Sequence, residues 1–135
     1  MITNVPLMAV PLIVYNVVLF GLLGVSTWDD QILGVTMISG ARWIMTLGDL
    51  MIVLGLILLF FEILKATRVG VNSIVDHLLS TFVLIAYLVE FLLVEGAATA
   101  VFFILMIMTL IDVLAGFSVS IRSATRDVTL GRGGF

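Results

Sequence analysis

Between Ile74 and Val94 an apolar run carries a single line of polar side chains. At 100° per residue, Asp76, Ser80, Val83, Tyr87, Glu90 and Val94 fall within roughly 40° of a common line on a helix. Apart from His77 and Thr81, the other faces are Leu, Ile, Val, Phe and Ala. A helix of this kind faces lipid on most sides and protein or water along its stripe. The rest of the chain is arranged around that requirement.

Three further apolar runs can supply the arrangement: Val5 to Val25, Trp43 to Leu64, and Ala97 to Val119 or Ile121. Each is near the length of about 20 residues that spans a bilayer as a helix. Only 11% of the 135 residues are charged, against about 25% in a soluble domain, and the mean hydropathy is +1.34. The expected fold is an all-α membrane protein, a bundle of four transmembrane helices within residues 1–121, with a tail at 122–135. The first run has no Lys or Arg before it and is long for a signal-peptide core, so it reads as a span. Pro6 and Pro11 fall in its first turns, where a missing N–H costs least.

Residues 26–42 form the longest connection. Trp28 with Asp29 and Asp30 reads as an interfacial residue before an acidic turn, Asp29 capping a helix that starts at Gln31. The short apolar patch from Ile32 to Ile38 lies along the interface, re-enters near Ser39-Gly40, or extends the second helix. Arg42 and Trp43 mark the membrane boundary. At the next loop, Ser73 reads as a cap with Asp76 as its acidic partner. The third and fourth spans are antiparallel neighbours, because only a few residues separate them. Lys65 and Arg68 flank the middle loop and Arg122, Arg126 and Arg132 follow the last span, whereas the other side holds Arg42 alone. The positive-inside rule therefore predicts cytoplasmic termini, as in a bacterial inner membrane. The tail, without apolar periodicity, reads as flexible or partner-held.

Three carboxylates stand within the apolar depth: Asp49, Glu90 and Asp112. An acidic residue at a helix centre costs on the order of 2.5 to 3.5 kcal/mol, so each needs a proton, a partner or water. Arg42 is two turns before Asp49 on one face, and a buried Arg42–Asp49–Glu90 cluster is the expected pairing. As an ion path, Glu90 and Asp49 stand at the outer side, Asp112 at mid-depth, and Asp76 with His77 at the cytoplasmic mouth. The alternative is polar glue, with Asn16 and Tyr87 as hydrogen-bonding partners and His77 interfacial. Gly21 and Gly24 on the first helix, Gly48 and Gly55 on the second, and the Gly116–Ser120 pair on the fourth read as helix-packing positions. Gly48, Gly55 and Glu62 repeat at seven-residue spacing and share a face.

Much chemistry is excluded. There is no cysteine and one histidine, so thiolate sites and a multi-His metal site within one chain are absent. A net charge of −3 offers no basic face for nucleic acid. No phosphate loop or metalloprotease motif occurs, and no cofactor is expected. The four spans resemble those of small multidrug-resistance transporters, but the glutamate of that family's first span has no counterpart in Val5 to Val25. The arginine-rich site of four-span glutathione-linked membrane enzymes is missing too, since Arg42 is the one outer arginine. The leading expectation is a non-enzymatic membrane subunit in the bilayer, a homo-oligomer or an accessory to other membrane subunits. The runner-up is a small proton or cation channel or transporter.

Overall fold

The structure, a computed structural model, describes residues 5–21, 28–65 and 71–133, without the side chains of 71–73 and 119–133. Four helices dominate: α1 (Ala9–Leu19), α2 (Leu47–Lys65), α3 (Val71–Leu93) and α4 (Ala100–Gly133). Two strands, β1 (Gln31–Thr36) and β2 (Arg42–Thr46), lie between α1 and α2, and a 3-10 turn (Glu95–Ala97) joins α3 to α4. Among the described residues, three stretches are long and apolar enough to cross a membrane: Leu47–Lys65, Ile74–Leu93 and Ala100–Ser118.

The first helix is shorter than expected. Its 11 residues rise only about 16 Å, roughly half of a hydrocarbon core. Gly21 ends it with φ +75, the left-handed residue that closes a helix C-terminus. Gly21 is therefore a cap, and among the described residues nothing packs against it. Gly24 lies outside the described residues.

The connection 26–42 differs most from expectation. Its apolar patch is neither helix nor re-entrant loop but the first strand of an antiparallel hairpin, so Asp29 caps no helix at Gln31. Ile32, Val35, Thr36, Trp43, Ile44 and Thr46 are β-branched or aromatic and suit a pleated strand. The turn is set by Gly40 at φ +89, with Met37 N–H donating to Ala41 O at 2.7 Å and Gly40 N–H to Met37 O at 2.9 Å. That is a three-residue loop closed by a left-handed glycine. The strand β2 occupies Arg42–Thr46, so the second helix starts at Leu47 and not at Trp43.

The helix start is a reciprocal cap. Asp49 N–H donates to Thr46 Oγ1 at 3.2 Å, and Thr46 N–H donates to Asp49 Oδ2 at 3.1 Å. Two otherwise orphaned N–H groups are satisfied this way. Asp49 is exposed, which removes it from the buried carboxylates.

The core sits where α4 packs on α2 and α3, with α1 contributing less. Phe102 is fully buried there, with ring centroids 4.9 Å from Tyr15, 5.2 Å from Tyr87 and 6.3 Å from Phe91. Gly48 and Gly55 lie under Val101, Leu105 and Met108 of α4. The glycine seam of α2 is thus used inside the chain. At the C-terminal end the backbone of α4 continues as helix to Gly133 and does not form a loose tail. Ser73 lies within α3, not at its start, and its side chain, like that of Ser120, is outside the described residues.

Candidate functional site

Buried polar residues line the interior from one end of the bundle to the other. At one end, α2 contributes Glu62 and Lys65, α3 contributes Asp76, His77 and Ser80, and α4 contributes Asp112. Helical spacing explains each contribution. Glu62 follows Gly48 and Gly55 on the face of α2 turned to α4; Asp76 and Ser80 are one turn apart on the stripe of α3. Five of these, Glu62, Asp76, His77, Ser80 and Asp112, are at most 5% exposed.

Glu62 is the hub. Its Oε1 accepts the Leu7 N–H at 2.8 Å and the Lys65 ammonium at 2.9 Å, and its Oε2 accepts the Ser80 hydroxyl at 3.5 Å. Lys65 also donates to Val5 O at 2.8 Å and stands 3.3 Å from Asp76 Oδ1. The Asp112 carboxyl neighbours Glu62, Asp76 and Ser80. Among the described side chains, Glu62 and Asp76 therefore share one ammonium, with the Asp112 carboxyl buried beside them. Asp112 Oδ2 is buried without a hydrogen-bond donor, and Asp76 Oδ1 has only the Lys65 ammonium at 3.3 Å. Leaving a buried charge without a partner costs several kcal/mol.

His77, expected as an interfacial side chain, packs inside the bundle. It is buried, its ring 5.3 Å from that of Phe117 and pressed on the backbone at Gly116. A Cβ at Gly116 would come within 2.8 Å of the imidazole. Gly116 thus makes room for His77 rather than for a neighbouring helix backbone.

The line continues through Thr109 and Tyr87, both fully buried. Tyr87 donates to Met8 O at 3.0 Å, and Thr109 bonds its own helix at Leu105 O, 2.9 Å. At the other end Asn16 donates to Glu90 Oε1 at 2.9 Å and to Leu12 O at 2.9 Å, while Glu90 Oε2 is buried without a donor. Tyr15 lies 2.7 Å from Thr99 Oγ1 and 3.0 Å from Gly96 O, and its ring stacks on Trp28 at 4.4 Å.

The structure thus brings Asp76, His77 and Asp112 together at one end and Asn16 with Glu90 at the other, with Tyr87 between them. It does not assemble Arg42, Asp49 and Glu90. The Arg42 guanidinium lies across Gly34 in the hairpin, Asp49 caps α2, and the described ion pairs are those of Lys65 with Glu62 and Asp76. Glu62, Lys65 and Ser80 were not among the candidates. Their signal was present: Glu62 completes a glycine heptad, and Ser80 lies on the polar line of α3. No three His, Asp or Glu side chains among the described residues are disposed to hold a metal ion. Compared with known protein families, curated proteins and solved structures, the chain finds no match in any of the three.

Proposed function

We propose that this chain is a non-enzymatic integral membrane protein that passes protons or small cations along its buried polar line. One observation carries the reading: Asp112 and Glu90 each hold a carboxylate oxygen in the interior with no donor, and Asp76 Oδ1 has only the Lys65 ammonium, which Glu62 shares. Such oxygens are expensive in a structural network and useful where a proton or cation is taken up and released. From Asp76 to Glu90 the line climbs about 21 Å along α3, most of a hydrocarbon core of about 30 Å. By the distribution of Lys and Arg, the Glu62–Asp112 end faces the cytoplasm and the Glu90 end the outside, with both chain termini inside. The test is reconstitution into liposomes with an entrapped pH indicator. Wild-type protein dissipates an imposed pH gradient, and Asp112→Asn or Glu62→Gln abolishes the flux while helix content is kept. A wild-type protein that passes no proton, sodium or potassium across a range of pH ends the proposal.

A second reading is an accessory subunit of a larger membrane complex. It is favoured by α4, which continues as helix beyond Ser118 to Gly133, a segment whose sequence holds Arg122, Arg126, Asp127 and Arg132. Native mass after gentle extraction separates the readings: co-migration with larger chains supports the accessory role, and a species of this chain alone supports the conductor. The internal use of Gly48 and Gly55 withdraws the glycine seam as an argument for lateral assembly.

A further inference from the structure

The hairpin has two chemically different faces. Leu33 opposes Met45 and Val35 opposes Trp43, which places four apolar side chains on one face. Gly34 opposes Ile44 and Thr36 opposes Arg42 on the other. There the Arg42 guanidinium lies over Gly34 beside the Gln31 amide, so close that a Cβ at Gly34 would meet both at 2.7 Å. The apolar face is not covered by the bundle: Leu33, Val35 and Trp43 are exposed, as are Met37 and Ile38 at the tip, while Ile44 is the exposed apolar side chain opposite Gly34 on the Arg42 face.

The position of the hairpin selects what covers that face. Thr46 ends β2 and Leu47 begins α2 with no linker between. Leu47 N–H donates to Asp30 O and Gly48 N–H to Trp28 O, both at 2.9 Å, which fixes the base of the hairpin to the first turn of α2. The ribbon is therefore rooted at the end of a stretch long and apolar enough to span, at the level of the lipid headgroups. Four side chains and a tip expose on the order of a few hundred Å², less than the roughly 600 Å² per partner at the low end of stable protein pairs. A bilayer sets no such lower bound, and it favours Trp at its interface. The one ionised side chain between Gln31 and Thr46 is Arg42, on the opposite face, where phosphate and water are in reach.

We propose that the hairpin lies on the membrane surface where α2 begins, with Leu33, Val35, Trp43, Met45 and the Ile38 tip in the interfacial zone of that leaflet. It is a lipid-binding ribbon, Arg42 turned to the headgroups. The chain has no cysteine, so single cysteines can carry spin labels without background. Val35→Cys and Thr36→Cys report the two faces, and Leu56→Cys on the exposed side of α2 is the bilayer control. The proteins are placed in liposomes of phosphatidylcholine with phosphatidylglycerol, and collision with oxygen is compared with collision with a water-soluble nickel chelate. Oxygen dominates at Val35→Cys and Leu56→Cys, and nickel dominates at Thr36→Cys. Equal nickel access on both hairpin faces, with Leu56→Cys still in lipid, overturns the ribbon proposal alone. Shielding of Val35→Cys from both agents also overturns it, since that marks a second copy or another protein. Quenching of Trp43 by brominated lipid, in a Trp28→Phe background, gives a reading that needs no label; no quenching there counts equally against it.

Discussion

Lys65 stands 3.3 Å from Asp76, a contact that joins the last residue of α2 to the first full turn of the described α3 side chains. The same ammonium holds Glu62 at 2.9 Å and the Val5 carbonyl at 2.8 Å. Its side chain is only 12% exposed, and it pairs with two buried carboxyl groups, Glu62 and Asp76. Lys65→Met should lower unfolding stability by about 3 kcal/mol or more, the range for breaking a buried ion pair from one side. Adding Asp76→Asn should recover part of that loss. Equilibrium unfolding in mixed micelles measures both, and strict additivity would show that the two groups are not coupled.

Asn16 and Glu90 give a second pair to dissect. Removing the amide by Asn16→Leu leaves both Glu90 oxygens without a donor and should cost about 1 to 3 kcal/mol. Glu90→Gln keeps an acceptor for Asn16 and should cost less than that. The comparison is a melting temperature in detergent for the two variants side by side.

Gly55 should respond to size in steps. A Cβ there meets Leu105 Cδ2 and Met108 Sδ, each at 2.8 Å, and both are flexible ends. Gly55→Ala is then accommodated at small cost, and Gly55→Leu forces α2 from α4 and costs about 1 to 3 kcal/mol. Stability should fall while native mass stays constant, because the contact is internal. A change in oligomer size at unchanged stability would place the seam between chains instead.

Asp49 separates capping from conduction. Asp49→Ala removes the reciprocal bond with Thr46 and should cost about 1 kcal/mol. It should leave proton flux in liposomes unaltered, whereas Asp112→Asn abolishes it. Loss of flux in Asp49→Ala, with the protein folded, would return this carboxylate to the ion path.

Periodicity made part of this architecture legible. The polar line of α3 and the Gly48–Gly55–Glu62 heptad follow from 100° per residue alone, and the structure turns both inward. Asn16 is likewise an interhelical donor as its isolation in an apolar run suggested. The hairpin escaped because a short apolar patch has one composition whether it becomes strand or interfacial helix. Its β-branched residues and the glycine at position 40 were the discriminating signs. Misplacing the start of α2 by one turn then put Asp49 inside the span, when a start at Leu47 makes it the third helical residue and a cap. The convergence of Glu62, Asp76 and Asp112 needs the relative rotation of three helices. A period within each helix does not contain that rotation.

The attachment of α1 has a consequence for how the chain is made. Its flanking backbone is held by Glu62, Lys65 and Tyr87, and its own Tyr15 and Asn16 reach Gly96, Thr99 and Glu90, partners 55 to 84 residues later in sequence. A ribosome delivers the N-terminus first and adds about 5 to 20 residues each second. The segment made earliest therefore waits for α2 before its bonds to Glu62 and Lys65 can close, and for α3 and the turn after it before the others can.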